Sequence, residues 1–337
     1  AQERSSCSRA GRARASEALI PPDLCREALT CYNPLVVRGF FVGLISSLIC
    51  TTLSRYVAPR LGLLDSPDAS HKAHGRTVAI GGWAIALAAL IVFALLHVAE
   101  IWKLAAGSLV ALGVGLLDDR FGLSPKTKLL GQVLCAAIAV LILGWAIQSV
   151  TLFGIEIALG WLAIPFTLFW IVGAINAFNL LDGLDGLATG AAAIIFGATA
   201  FIAHQSGNSA VLVLSGGFVG VLVGFLLFNW APAKVFLGDG GTHFVGYWLA
   251  ILSIQATQAD LSVPHDVPIL VSIVLLGVPI ADTAWAIVRR LRERKSILQA
   301  DRGHLHHRLL GAGLSERTTV LILYGAVAIT CAVAVVI

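Results

Sequence analysis

Apolar runs of roughly 17 to 25 residues recur along almost the whole chain, with short polar stretches between them. They fall near 35–54, 78–98, 104–117, 129–148, 160–176, 187–203, 210–228, 242–256, 268–288 and 318–337. In hydrocarbon only helices or closed barrels satisfy the backbone, so each run is read as a helix. The 104–117 run is short and is expected to extend by a turn at either end. The pattern predicts an all-α, polytopic transmembrane helix bundle of about ten spans, with residues 35–337 forming a single membrane domain. Gly216, Gly217, Gly220 and Gly224 lie inside one run and suit close helix packing. Residues 1–34 are rich in Arg and Ser, carry Pro21 and Pro22, and read as a mobile or weakly helical tail. They do not form a conventional signal peptide, because no compact apolar core precedes a cleavage site before Pro34.

Ten spans put alternate loops on opposite faces. The loops 55–77, 118–128, 177–186, 229–241 and 289–317 share one face and hold 16 Lys and Arg, whereas the opposite interhelical loops hold only Lys103. The positive-inside rule puts the richer face in the cytoplasm. The arginines of the N-terminal tail oppose that assignment, but the five internal loops agree with one another. Composition supports the membrane class, because 58% of the 337 residues are hydrophobic and only 12% are charged. The net charge of +4 lies in short loops. It therefore argues for lipid headgroups and phosphorylated substrates rather than for nucleic acid. Cys50, Cys135 and Cys331 sit within apolar runs and read as small buried hydrophobes.

The polar residues at the ends of the runs carry the chemistry. Carboxylates are expensive in hydrocarbon, and Asp118, Asp119, Asp182, Asp185 and Asp239 all fall on the Lys- and Arg-rich face. Adjacent Asp118 and Asp119 repel, which suits a base or a group beside a cation; a solvated loop is the other reading. Lys128, a turn into the next helix, can meet a phosphate or snorkel to water. Asp182 and Asp185 are three apart, near Asn176 and Asn179, among glycines that permit close backbone approach. Asp239 lies between Gly238 and Gly240 at the start of a run. Its oxygen-rich surroundings suit Mg2+ or Mn2+ better than Zn2+, with helix capping as the alternative. The expected metal set is Asp239 with Asp182 and Asp185. In the longest loop His304, His306, His307 and Arg308 can converge on phosphates, with Arg308 able to fork onto a pyrophosphate. The preceding run from Arg289 to Lys295 reads as ordinary stop-transfer charge. Lys72 and His74 in the first loop either bind phosphate or form a polar turn.

Five stretches, Gly62–Gly82, Gly115–Gln132, Asn176–Gly190, Asn229–Gly246 and Asp301–Leu310, carry a resemblance that extends over about residues 35–337. In that order they resemble the polyprenyl-phosphate N-acetylhexosamine-1-phosphate transferases, the superfamily that includes the phospho-MurNAc-pentapeptide translocase. The His304-Leu-His306-His307-Arg308 pattern looks like the branch that uses UDP-N-acetylglucosamine. The resemblance implies a bacterial plasma (inner) membrane enzyme with its site facing the cytoplasm. It implies transfer of N-acetylglucosamine-1-phosphate from UDP-GlcNAc to undecaprenyl phosphate, giving undecaprenyl-diphospho-GlcNAc and UMP. Such a step starts a cell-envelope polysaccharide such as O-antigen or teichoic acid. Substrate contacts are expected from Lys72, His74, Lys128, Asn176, Asn179, Asn229, His304, His306, His307 and Arg308, and the resemblance allows a homodimer. The family usually shows about eleven spans, two of them after the His motif, whereas one fits before Ile337, so the resemblance leaves open a last helix that is missing or truncated. His71, Thr77, Ala79 and Thr242 depart from the family pattern and loosen the choice of sugar.

Two rivals compete with this reading. A different UDP-N-acetylated sugar, GalNAc or a 6-deoxyhexosamine, fits the same chemistry. An ion-coupled lipid or solute transporter would also use carboxylates, but transporter charges often lie near mid-span, whereas these lie at span ends on one face.

Overall fold

The computed structural model describes residues 34–57, 60, 81–96, 101–142, 144–261, 263–296 and 303–337. The N-terminal tail, the loop bearing Lys72 and His74, and Asp301 lie outside the described residues.

The described residues are overwhelmingly helical. In order come α1 (Pro34–Val57), α2 (Gly82–Leu96), α3 (Ile101–Phe121), α4 (Pro125–Ala137), α5 (Ala163–Leu181), α6 (Leu187–Gln205), α7 (Ser209–Asn229) and α8 (Gly238–Gln255). They are followed by α9 (Ile269–Leu275), α10 (Gly277–Arg292), α11 (Leu305–Gly311) and α12 (Glu316–Val336). Among the described residues, five helical segments are long and apolar enough to cross a membrane: Pro34–Val57, Gly160–Leu181, Leu187–Gln205, Ser209–Asn229 and Glu316–Val336. The pair α9 and α10, bent by 83° at Leu276, adds a sixth if it counts as one broken span. This is a multi-pass membrane protein.

Several predicted runs take a different form. The 129–148 run becomes α4, opened by Ser124 accepting the Thr127 N–H with Pro125 in the first turn, and continued by a π-helical turn over Ile138–Ile142. Helix then gives way to β1 (Ser149–Leu152) and β2 (Ile155–Ala158), an antiparallel hairpin pairing Val150 with Ile157. Its turn has both Phe153 and Gly154 at positive φ, 51° and 78°, which matches the twist of a two-residue hairpin. The short β3 (Val267–Pro268) adds in parallel to β1. The all-α expectation thus gains a three-stranded patch.

The glycines of α7 do what their spacing suggests. A Cβ at Gly220 would stand 2.0 Å from the Phe40 carbonyl oxygen of α1, and one at Gly43 would stand 2.3 Å from that of Gly217. The two backbones approach closely enough that only glycine fits. α8 is the most enclosed helix, buried continuously from Gly240 to Gln255. Tyr247 Oη donates to the Leu104 carbonyl at 3.0 Å, and Trp170 Nε1 donates to the Ala250 carbonyl at 3.0 Å. These bonds tie α8 to α3 and α5, and so fix where its N-terminus lies. The free thiols of Cys50, Cys135 and Cys331 are buried.

Candidate active site

The N-terminus of α8 is wedged between two glycines of neighbouring helices. A Cβ at Gly82 would meet the Gly241 nitrogen at 2.1 Å, and one at Gly115 would meet the Asp239 carbonyl oxygen at 2.3 Å. This close approach lets α3 deliver its last turn to the first turn of α8. Asp119 closes the junction, with Oδ1 accepting the Asp239 N–H at 2.7 Å and Oδ2 the Gly240 N–H at 3.0 Å. The paired acids therefore separate in role. Asp119 caps α8, the duty that the sequence assigned as an alternative to Asp239. Burial pushes the Asp119 carboxyl up to about 7, against the pull of its two amide hydrogen bonds.

Asp118 turns the other way. Its Oδ1 accepts the Leu123 N–H at 2.6 Å, and its Oδ2 lies 2.8 Å from Lys128 Nζ. Lys128 also pairs with Asp239 Oδ2 and reaches Asn179 Oδ1 at 3.4 Å. Asn179 Nδ2 donates to Asp239 Oδ1 at 2.7 Å and to Thr242 Oγ1 at 2.8 Å. Residues from α3, α4, α5 and α8 thus surround one ammonium with three hard oxygens. The electrostatics follow from this packing. Burial raises the Asp118 carboxyl, and its hydrogen bond with Asp239 adds to that rise. Burial also acts on Asp239, but the hydrogen bonds from Asp118, Lys128 and Asn179 and the Lys128 charge hold it below its ordinary value. Lys128 is desolvated, yet the two carboxylates more than compensate and its pKa rises.

Asn176 stands one turn back on α5 and faces the interior. Its Nδ2 donates to Gln132 Oε1 at 2.6 Å, and Gln132 Nε2 lies 3.1 Å from His243 Nε2. Asn229 is also turned inward, accepting from Thr189 Oγ1 at 2.7 Å and donating to the Val235 carbonyl at 2.9 Å. It ties the loop after α7 to α6, and its buried amide is engaged at both ends.

The expected metal set of Asp239, Asp182 and Asp185 is not gathered. Among the described residues no three His, Cys, Asp or Glu side chains form a metal-binding group. Asp182 is the C-cap residue of α5, and Asp185 Oδ2 accepts the Ala233 N–H at 2.9 Å. The oxygens that do converge belong to Asp118, Asp239 and Asn179. Those three hard oxygens are donors of the type a hard divalent cation takes, and in this structure they surround the Lys128 ammonium.

The His segment forms a second group beside the first. α5 and the turn that follows it link them, since Asn179 touches Asp239 and Gly183 touches His306: a Cβ at Gly183 would stand 2.1 Å from His306 Nε2. The His304 and His306 rings lie parallel with centroids 6.0 Å apart, and His306 and His307 are 4.2 Å apart. Burial, then the neighbouring His307 and His304, hold His306 down to about 4. Arg308 is exposed. Sequence reasoning missed Asp282, which binds His304 from α10. Its signal was an acid inside an apolar run, but nothing local pointed to a partner 22 residues away.

Comparison with known proteins decides the family. Residues 101–257 match the family model described as Glycosyl transferase family 4. The Bacillus subtilis (strain 168) protein named "Probable undecaprenyl-phosphate N-acetylglucosaminyl 1-phosphate transferase" is 36% identical over 297 residues, 86% of this chain and 81% of that one. The chain belongs to the polyprenyl-phosphate N-acetylglucosamine-1-phosphate transferase family. The Yersinia pestis undecaprenyl-phosphate alpha-N-acetylglucosaminyl 1-phosphate transferase is 30% identical over 296 residues, covering 84% of this chain and 79% of that one. The Mycobacterium leprae (strain TN) decaprenyl-phosphate N-acetylglucosaminephosphotransferase is 37% identical over 240 residues, 66% of this chain and 60% of that one. The family model spans the cluster from Asp118 to Asp239 but not the His segment.

Proposed function

We propose that this transferase moves N-acetylglucosamine-1-phosphate from UDP-GlcNAc to undecaprenyl phosphate and releases UMP. The observation that carries the reading is the convergence of Asp118, Lys128, Asn179 and Asp239 from four helices, in a chain whose relatives bear that activity in their names. A lipid phosphate oxygen attacks the phosphorus that carries the sugar. The new P–O bond forms as the bond to the bridging oxygen breaks, and UMP leaves with that oxygen.

Asp118, Asn179 and Asp239 would hold Mg2+, which, when bound, offsets the charge of the diphosphate. Mn2+ meets the same oxygen donors. Lys128 is the cation beside those carboxylates and meets a phosphate oxygen when substrate enters. Asp119 keeps the α8 N-terminus in place. His304, His306, His307 and Arg308 secure the nucleotide diphosphate. We place the site on the cytoplasmic face of a bacterial plasma membrane, as the Lys and Arg distribution over about ten predicted spans supports.

The test is UMP release by purified protein with undecaprenyl phosphate, with Mg2+ or with EDTA, offering UDP-GlcNAc, UDP-GalNAc and UDP-MurNAc-pentapeptide separately. Release from UDP-GlcNAc that needs both lipid and metal is expected. Folded protein that releases UMP from none of the donors would overturn the reading.

A further inference from the structure

Asp282 lies in α10 and is 3% exposed. Both of its carboxylate oxygens are committed to the start of the His segment. Oδ2 is 2.9 Å from His304 Nδ1, and Oδ1 accepts the Leu305 N–H at 2.9 Å. An ionised carboxylate only accepts, so His304 Nδ1 is the donor and its tautomer is set from outside the segment. His304 makes no side-chain cap of its own on α11. Asp282 supplies that acceptor from another helix. Arg289, two turns further along α10, donates from Nη1 to the Gly303 carbonyl at 2.8 Å. One helix therefore grips the segment at Gly303, His304 and Leu305. Directly after this grip, His306 seats its ring on Gly183.

We propose that Asp282 is the positioning residue that fixes the His304–Arg308 segment for the nucleotide-sugar donor; this rests on the transferase reading above. Asp282 touches no reacting atom. It acts through His304 and the Leu305 amide, on the donor side of the site only.

In Asp282→Asn the amide oxygen can still accept the Leu305 N–H, but the amide NH2 then faces His304 Nδ1, donor against donor. We expect it to raise the KM for UDP-GlcNAc about tenfold, with the KM for undecaprenyl phosphate and the melting temperature unchanged. Asp282→Ala, which loses both bonds, should be worse. In Asp282→Asn/His304→Ala the loss should be no greater than in His304→Ala alone, because the two residues act as one unit. Wild-type kinetics in Asp282→Asn would overturn the proposal. So would an equal loss toward both substrates, or losses that multiply in the double variant. Nitrogen NMR of histidine-labelled wild-type protein, with His304 assigned from His304→Ala, gives a readout independent of turnover. A protonated Nδ1 is expected, and an unprotonated Nδ1 overturns the proposal. Absence of UMP release from the wild type would sink the transferase reading instead, leaving the NMR result to judge the Asp282–His304 contact.

Discussion

Replacing Lys128 with Met leaves Asp118 and Asp239 facing each other without their shared cation. Their oxygens are only partly exposed, with side-chain accessibilities of 11% and 30%. The unpaired charges should cost about 1–3 kcal/mol of stability in metal-free buffer. If these oxygens form the cation site, millimolar Mg2+ should restore much of the lost melting temperature of Lys128→Met, and a melt indifferent to Mg2+ would count against that site. His306 makes a separate prediction. It is held down to about 4, while an unfolded chain has a His near 6.5. The unfolded state therefore takes up a proton first as pH falls. Stability is independent of this group above about 6.5 and drops between there and about 4, by up to about 1.4 kcal/mol per pH unit. His306→Gln should flatten that part of the melting-temperature profile between pH 7 and 5; parallel profiles would show that another group governs the slope. The residues of the Lys128 cluster were individually legible because acids and amides at the ends of apolar runs need a reason to be there. Which of them meet was not. Neighbours in sequence, Asp118 and Asp119 point to different partners, and Asn229 turns inward because its amide satisfies Thr189 and the Val235 carbonyl.

Elements carry these side chains into place through contacts that no polar residue reveals. Gly115 belongs to α3, yet its missing Cβ is what lets the Asp239 turn approach. Gly115→Val should push that turn away and lower UMP release by about 10²-fold. Helix content by circular dichroism should survive, because the change leaves the apolar faces intact. Activity within twofold of wild type would mean that the turn can shift without harm. Element existence was legible where hydrophobicity alone decides. The runs at 187–203, 210–228 and 318–337 correspond to Leu187–Gln205, Ser209–Asn229 and Glu316–Val336. Elements whose form depends on tertiary partners were not legible. β1 gains strand geometry from β2 and from β3, more than a hundred residues away, and the 83° bend at Leu276 appears only between two packed half-helices.

At the scale of the whole molecule, α5 measures the membrane. Its 19 residues rise about 28 Å, close to the hydrocarbon thickness. The β-hairpin precedes its N-terminal end, while Asn179 and Asp182 occupy its C-terminal end. The hairpin and the candidate site therefore belong to opposite faces. Phe153 at the hairpin tip is 84% exposed, and the Lys295 side chain, beyond α10 on the Lys- and Arg-rich side, is 54% exposed. The three described cysteines are buried, so introduced thiols can be read against a low background once Cys7, Cys25 and Cys31 are replaced by Ser. In intact spheroplasts a membrane-impermeant maleimide should label Phe153→Cys and spare Lys295→Cys, and lysis should expose the latter. The reverse pattern would invert the orientation and place the Lys128 cluster away from cytoplasmic nucleotide sugars. Labelling of both in intact cells would mean that α5 does not separate the two faces. The predicted pattern depends on charge bias and on helix length, which are independent features of the chain, so agreement would tie the site to the compartment where a UDP-sugar is available.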